Sequence, residues 1–270
     1  MVVNMKTKVV FIAMLALIFI LTTVNAAKSE KLIEKIKENA NSDYLLELTQ
    51  FDNAPLPKSQ ALEKVLVIHY KNGYAKVGLA RTKTTKCYGF LGNGVKWKTL
   101  PINYVVNTTN SQGLSEEFIT SAIASSVQEW DNHTSASLFG TYTIDPNATW
   151  DDAKPDGRNE FVFGNYPEEG VIAVTVIWGY FQVAPKNRKI TEFDVLFDTD
   201  FTWGNAEVDP SKMDLQNIAT HEIGHGIGLK DLYTTSCSEE TMYGYSSYGE
   251  TKKRTLNTGD IEGVQLLYGS

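Results

Sequence analysis

The stretch "HEIGHGIGLKD", residues 221–231, contains two histidines four residues apart and a glutamate directly after the first. Residues four apart lie on the same face of a helix, so His221 and His225 present their imidazoles one turn apart. Two such imidazoles can bind one Zn²⁺ ion at about 2.0–2.1 Å. Glu222 is too close in sequence to be a third ligand in the same geometry, but it can take a proton from a metal-bound water. The motif predicts a catalytic metal site; the alternative is a helix with two satisfied histidines.

The helix around this motif also has an apolar face that predicts its packing. Its apolar residues recur every four positions: Leu215, Ala219, Ile223 and Ile227. At about 100° per residue, the two histidines point nearly the opposite way. We expect the helix to start at Ser211–Asp214, an S-x-x-D variant of the capping box. One face would then pack into a core while the other faces a cleft.

Three glycines in the motif, Gly224, Gly226 and Gly228, are unusual for a helix. Each costs about 1 kcal/mol relative to alanine in a helix interior. Glycine allows a positive φ and close approach of the backbone to its neighbours. We expect Gly228 to end the helix and turn the chain, so that Asp231 faces the same ion as the histidines.

The stretch resembles the metzincin zinc signature, H-E-x-x-H-x-x-G-x-x-H, except that Asp231 replaces the last histidine. Met242, in "EETMYGYSSYG", lies where metzincins have a methionine in a tight turn beneath the metal. "LNTGDIEGVQLLYG" is similar to the C-terminal helix of the matrixin branch, and "WKTLPINYVVN" and "EFDVLFDTDFTWG" are similar to matrixin strands beside the cleft. This resemblance spans roughly Trp97 to Gly269 and implies an α+β fold. The fold would be a twisted mixed sheet packed on the zinc-binding helix, with a Met-turn and a C-terminal helix.

The resemblance also implies a function, that of a secreted zinc endopeptidase acting on protein or peptide substrates. Zn²⁺ would bind His221, His225 and Asp231, with water in the fourth position and Glu222 as the general base. Met242 would shape the floor without binding the metal. Snapalysin-like metzincins have aspartate at the third position, and carboxylate is a competent zinc ligand at about 2.0–2.2 Å. The alternative for Asp231 is a solvated loop acid, and the alternative function is an inactive, metzincin-shaped binding module.

Metzincins bind substrate as an added strand on an exposed sheet edge. The candidate edge here is "VIAVTVIW", residues 171–178. Tyr243, Tyr245 and Tyr248 follow Met242 and could line the substrate pocket, and one of them could donate to the reaction's oxyanion. Tyrosines in such a loop can equally serve packing alone.

A run of acidic residues lies where some matrixins bind Ca²⁺: Glu192, Asp194, Asp198 and Asp200. The alternation of a strand places Asp194 and Asp198 on one face. The alternative, which we favour, is a solvated strand end without calcium. The histidine cluster of a second, structural zinc is absent from the sequence.

The two cysteines, Cys87 and Cys237, allow two interpretations. Outside the cytosol, a single pair most simply forms a disulfide. Matrixin pro-segments can instead block the zinc with a thiolate, and Cys87 lies near that position. Its context is "TKCYGF" rather than the family's Pro-Arg-Cys-Gly, and a switch would leave Cys237 unpaired. We favour the disulfide.

The N-terminus has lysines before an apolar run, Val9–Val24, and small residues up to Ala26. This pattern predicts a secretory signal at 1–26 and an extracellular protein; the alternative is an uncleaved membrane anchor. Residues 27–86 read as a pre-segment that includes a hairpin at Asn72–Gly73. Residues 87–270 form the catalytic domain. The net charge of −7, without a long basic run after the N-terminus, argues against a nucleic-acid partner.

Hydrophobic periodicity predicts the main elements of this domain. We expect strands within 100–107, 159–166, 170–183 and 189–201. Helices are expected at 115–130, with Ser115 as the N-cap, and at 258–269.

Overall fold

A computed structural model of the chain describes residues 62–74 and 86–270. Its strands, in chain order, are β1 (Glu63–Lys71), β2 (Ile102–Val106), β3 (Phe139–Ile144), β4 (Glu160–Gly164), β5 (Val171–Tyr180), β6 (Lys189–Asp198), β7 (Trp203–Gly204), β8 (Met213–Asp214) and β9 (Tyr245–Ser246). Its α-helices are α1 (Glu116–Asp131), α2 (Leu215–Gly226) and α3 (Thr258–Tyr268). The main sheet has the order β3-β2-β4-β6-β5-β1-β9, and β7 pairs with β8. The predicted α+β class, with a mixed sheet and a motif helix, is confirmed.

Most of the predicted elements are present, with shorter bounds. The hydroxyl of Ser115 accepts a hydrogen bond from the Phe118 amide at 3.2 Å and caps α1 as predicted. Strand β3 was not predicted, because five of its six residues are not buried and it lacks an alternating pattern. The first arm of the predicted hairpin is β1, followed by a turn at Asn72–Gly73. The second arm lies outside the described residues.

The core lies between the sheet and helices α1 and α2. All residues of β5 except Tyr180 are buried, and β6 pairs with it antiparallel. The apolar stripe predicted for α2 is fully buried. The indole of Trp130 donates to the Thr220 carbonyl at 2.8 Å and ties α1 to α2. Helix α2 is therefore packed into the core and joined to α1 by a buried hydrogen bond.

Helix α2 starts later than the sequence predicted. Its N-cap is Asp214, whose carboxylate accepts from the Asn217 amide at 2.8 Å. Ser211 does not take part in the cap, since its hydroxyl donates to Asp209 at 2.6 Å. The predicted S-x-x-D capping box of Ser211 and Asp214 is wrong because Met213–Asp214 is extended and pairs with β7 as strand β8, which makes Asp214 itself the N-cap.

The glycines of the motif are explained by close packing and by a turn. A Cβ on Gly224 would lie 2.2 Å from the Met242 sulfur, and one on Gly226 would lie 2.6 Å from the Phe193 ring. Gly228 has a φ of +108°, a conformation that side chains rarely adopt. Here α2 ends and the chain reverses, as the sequence predicted.

Strand β1 comes from the predicted pre-segment, yet it lies within the main sheet. It pairs antiparallel with β5, from Glu63 opposite Gly179 to Tyr70 opposite Val171. It also pairs parallel with β9, with Tyr70 opposite Tyr245. The expectation that residues 171–178 form an exposed edge is therefore wrong for this structure, because β5 is paired on both sides. The alternation of β1 makes this possible, since it buries Val65, Val67 and His69 on one face.

In the structure the sulfur atoms of Cys87 and Cys237 are joined as a disulfide. Their Cα atoms are 5.3 Å apart, and 150 positions separate them in sequence. The bond connects the start of the predicted catalytic domain to the loop between Asp231 and Met242. Because the Cys87 sulfur is in a disulfide, it is not a free thiolate that could bind a metal.

No helix within the described ranges is long and apolar enough to cross a membrane. The apolar run Val9–Val24 and the predicted signal at 1–26 lie outside those ranges, so both remain predictions from sequence.

Replacing Gly226 by alanine should destabilise the domain although alanine favours helices. The new Cβ would overlap the Phe193 ring, and overpacking of a core typically costs about 1–3 kcal/mol. We expect thermal or urea unfolding to show this loss. Ser121→Ala, at an exposed position of α1, should leave stability nearly unchanged. Equal stability of the Gly226→Ala variant and the parent would contradict the packing described here.

Candidate metal centre

Three side chains converge where α2 meets the chain reversal that follows it. The Nε2 atoms of His221 and His225 are 3.1 Å apart. An Asp231 carboxylate oxygen, Oδ1, lies 3.1 Å from the first and 3.3 Å from the second. All three residues are buried. The structure thus brings together the three residues that the sequence offered as metal ligands, and Asp231 is no solvated loop acid.

The backbone after α2 places Asp231. The Leu229 amide donates to the Gly224 carbonyl at 2.9 Å, which closes the helix end. The Leu232 amide then donates to the Met242 carbonyl at 2.8 Å, so the aspartate lies beside the methionine turn. Met242 is buried against Gly224, which lies between the two histidines in α2.

The methionine turn is itself anchored by helix α3. The Asp260 carboxylate accepts from the amides of Thr241 and Met242, at 2.6 and 3.1 Å. The Thr241 carbonyl in turn accepts from His221 Nδ1 at 2.7 Å. The C-terminal helix therefore fixes the orientation of one imidazole through two hydrogen bonds.

The hydrogen bonds around the three side chains test whether they fit a metal. His221 Nδ1 donates to the Thr241 carbonyl, and His225 Nδ1 donates to the Leu229 carbonyl at 3.0 Å. In a neutral imidazole, the Nε2 atom is then an acceptor. Asp231 Oδ2 accepts from the Tyr233 hydroxyl at 3.0 Å, whereas Oδ1 has no hydrogen-bond partner. Three acceptors facing one another in a buried space need a cation, and two imidazole nitrogens with one carboxylate oxygen suit Zn²⁺.

Glu222 lies beside this centre and is fully buried. Its Oε2 accepts from the Thr175 hydroxyl of β5 at 2.6 Å. Its Oε1 accepts from His69 Nδ1 of β1 at 2.9 Å. Burial raises the pKa of Glu222 to about 7. Both carboxylate oxygens are therefore engaged while β1 is in place.

His69 was not predicted to belong to the site. Its ring centroid nevertheless lies 4.0 Å from that of His221. Burial, together with the nearby His221 and Lys253, holds the pKa of His69 well below its usual value. The neutral ring donates to Glu222 through Nδ1 and can accept through Nε2. The one signal in the sequence was alternation, which places His69 on the buried face of β1 with Val65 and Val67.

Lys253 was also missed, because an isolated lysine carries no sequence motif. It is fully buried, and burial lowers its pKa to about 8. Its Nζ atom donates to the carbonyls of Tyr243 and Tyr245, the latter at 3.0 Å, and lies 3.4 Å from His69 Nε2. We call residues 243–246 the wall segment. Lys253 joins the wall segment to His69.

The three predicted pocket tyrosines have different surroundings. Tyr243 and Tyr245 pack on each other with ring centroids 5.7 Å apart, and Tyr245 also contacts Tyr233. Their carbonyls, rather than their hydroxyls, face Lys253. Tyr248 packs against Phe201 and Lys71 instead.

The sequence favoured a solvated strand end for the acidic residues of β6. This prediction is wrong, because Glu192, Asp194 and Asp198 are buried. Asp194 is buried and accepts from the amides of Asp151 and Glu160, at 3.3 and 3.0 Å. Glu192 is buried and accepts from two amides of the loop at 156–157. Asp198, also buried, accepts from the amide of the exposed Asp200 at 3.0 Å. These carboxylates therefore hold loops onto the sheet.

A separate group of acids lies nearby. Carboxylate oxygens of Asp151, Asp156 and Glu160 lie within 4.8 Å of one another. Glu160 is buried and forms an ion pair with Arg158 at 3.2 Å.

Comparison with known proteins agrees with this architecture. The sequence model of the peptidase family called matrixin matches residues 96–269. Metalloendoproteinase 1-MMP of Arabidopsis thaliana is 30% identical over 207 residues, which cover 69% of this chain and 48% of that protein. Matrix metalloproteinase-25 of Homo sapiens is 26% identical over 179 residues, which cover 66% of this chain and 30% of the relative.

Shorter matches include neutrophil collagenase of Homo sapiens, 34% identical over 76 residues, which cover 28% of this chain and 15% of that protein. The chain thus spans half or less of the length of these relatives. The match of the family model, over most of the chain and across the whole metal centre, shows that the chain belongs to the matrixin family of metallopeptidases.

Proposed function

We propose that this protein is a zinc-dependent endopeptidase that hydrolyses peptide bonds in protein or peptide substrates. One observation carries the proposal: three buried acceptors, on His221, His225 and Asp231, converge beside the carboxylate of Glu222. An inactive binding module has no need of a buried acid at this place. The second candidate, a metzincin-shaped module without turnover, is therefore less well supported.

The division of labour follows from the contacts of each residue. His221, His225 and Asp231 would hold Zn²⁺, which supplies Lewis-acid polarisation of the scissile carbonyl and acidifies a water. Glu222 would accept a proton from the attacking water and donate it to the leaving amine. Thr175 holds Oε2, so the proton is received at Oε1, the atom that now accepts from His69.

The same geometry supports a latent precursor. A peptide that adds to β5 must occupy the place of β1, between β5 and β9. We propose that residues 27–86 are a pre-segment whose strand β1 fills the cleft, and that residues 171–178 become the substrate edge when it leaves. His69 must leave with it, which frees Glu222 Oε1.

The wider setting of the protein rests on its sequence. We propose export through a signal at 1–26 and an extracellular location, with an anchor formed by Val9–Val24 as the alternative. We assign Ca²⁺ no role in the proposed chemistry; Glu192, Asp194 and Asp198 accept hydrogen bonds from backbone amides. Any Ca²⁺ would belong at the cluster of Asp151, Asp156 and Glu160, as a support for the fold.

Loosening β1 should activate the protein. Val67 is buried on the inner face of β1, so Val67→Asp places an unpaired charge there and disfavours docking of the strand. We expect turnover of a quenched peptide to rise at least about tenfold, since a population shift of this size needs only about 1.4 kcal/mol. Ile68→Asp puts the same charge on the opposite, partly exposed face and should activate much less. A folded, zinc-loaded Val67→Asp protein no more active than the parent would contradict the latency proposal.

Within the Val67→Asp background, Glu222→Gln should retain zinc and lose activity. Removing a general base typically costs about 10²–10⁴-fold in rate. Zinc content and cleavage of casein are measured together. Glu117→Gln, on the exposed side of α1, is the matched control and should leave both unchanged. Activity of Glu222→Gln within a factor of about two of its parent would remove Glu222 from the role of base.

A further inference from the structure

The His69 ring fills a space beside α2, where it contacts the His221 ring and its Nε2 lies 3.4 Å from Lys253 Nζ; we call this space the pocket. We propose that Lys253 makes this pocket select substrate side chains that end in a hydrogen-bond acceptor, such as Gln, Glu or His, over apolar ones. The inference rests on the proposed function, because it names the class of peptide that the same site takes.

The Lys253 ammonium has one N–H group more than the carbonyls of the wall segment accept. Its ammonium has three N–H groups, and two acceptors are the carbonyls of Tyr243 and Tyr245. The third acceptor is His69 Nε2, at 3.4 Å. Among the described residues, no carboxylate lies within ion-pair distance of Nζ. One N–H is therefore available to whatever side chain fills the pocket.

The backbone of Lys253 keeps the ammonium in this place. Its amide donates to the Asn217 side chain of α2 at 2.7 Å. Its carbonyl accepts from the Thr241 hydroxyl at 3.3 Å. The side chain has no exposed surface while β1 is in place.

His69 shows which side chain the pocket accepts. It reaches the pocket from β1, which lies where a peptide would pair with β5 and β9. Its ring contacts the His221 ring, so the pocket adjoins the metal centre directly. Because Nδ1 donates to Glu222, Nε2 must accept from Lys253 in the neutral ring. The protein's own strand thus presents an acceptor to the ammonium.

Release of β1 leaves the third N–H without its partner. A substrate side chain with an acceptor at its tip restores the bond, whereas an apolar side chain of the same length leaves a buried charged donor unsatisfied. Hydrogen bonds to charged groups correspond to a discrimination of about ten- to hundredfold.

The first test uses the full chain and needs no turnover. His69→Gln keeps an acceptor for Lys253 and a donor for Glu222, whereas His69→Met has similar length and neither group. We expect amide hydrogen exchange in β1 to be at least about tenfold faster in His69→Met than in His69→Gln. Combining each with Lys253→Met should narrow this ratio by about threefold or more and leave the part that is due to the contact with Glu222.

Lys252→Met is the matched control, since Lys252 is partly exposed and bonds to Ser238 and Glu239. It should leave the ratio between His69→Gln and His69→Met unchanged. If Lys253→Met also leaves that ratio unchanged, or if the two His69 variants exchange equally, the inference is overturned.

The second test measures substrate preference in the Val67→Asp background. Peptides differing at one position, with Gln, Glu, His, Met or Leu, are compared by kcat/KM. We expect residues with an acceptor at the tip of the side chain to be preferred at a position adjacent to the cleaved bond. Lys253→Met should shift this preference toward Met and Leu. Comparing kcat/KM for the Glu and Gln peptides shows whether a negative charge strengthens the preference for an acceptor.

The two tests separate failure of this inference from failure of the proposed function. Cleavage that favours Met or Leu equally in the parent contradicts the role of Lys253 alone. Absence of cleavage of every peptide, with the exchange ratio still dependent on Lys253, contradicts the endopeptidase and leaves the selectivity of the pocket intact.

Discussion

Three acceptor atoms facing one another in a buried space are the constraint on which this structure depends. Without a cation, two imidazole nitrogens and a carboxylate oxygen within 3.3 Å of one another gain no hydrogen bond and lose water. The surrounding architecture exists to hold them there. Helix α2 places the two imidazoles one turn apart, and Gly228 reverses the chain toward Asp231. The turn at Met242 contacts both parts, since the Thr241 carbonyl binds His221 and the Met242 carbonyl binds the Leu232 amide.

The second feature of the molecule is that its own strand occupies the cleft. Strand β1 satisfies the backbone of β5 and β9, and His69 engages the carboxylate expected to do the chemistry. If the proposed roles hold, one strand of nine residues covers the substrate edge, the general base and the side-chain pocket together. The cysteines have a different role, since their disulfide joins the start of the predicted catalytic domain to the loop between Asp231 and Met242. In the proposed latent state, the contact that blocks Glu222 is the hydrogen bond from the His69 imidazole.

Local patterns predicted the elements that position the metal centre. The spacing of His221 and His225, the apolar stripe on α2 and the turn at Gly228 are all properties of a few neighbouring residues, and the structure has each of them. The third ligand position was predicted from the same short stretch together with a family resemblance. The start of α2 was missed because a short pairing of β7 with β8 takes Met213–Asp214 out of the helix.

Long-range pairing could not be predicted in this way. Nothing in the sequence near His69 states that β1 joins β5, about a hundred residues later. The position of Lys253 likewise depends on carbonyls of the wall segment and on the side chain of Asn217, which is distant in sequence. The acids of β6 appeared to belong to a solvated strand end, but Glu192 and Asp194 accept from amides of the loop that leads into β4, and Asp198 accepts from the amide of Asp200. Such contacts depend on which elements meet, which periodicity alone does not specify.

The central claim is that one zinc ion is bound by two imidazoles and one carboxylate. Anomalous diffraction at the zinc edge, from crystals of the protein purified without added chelator, tests it most directly. The account predicts one strong peak at about 2.0–2.2 Å from His221 Nε2, His225 Nε2 and an Asp231 carboxylate oxygen. It also predicts loss of this peak in Asp231→Ala crystals grown at limiting zinc. A peak elsewhere, or an Asp231 side chain turned away from a zinc ion bound to the histidines, would contradict it.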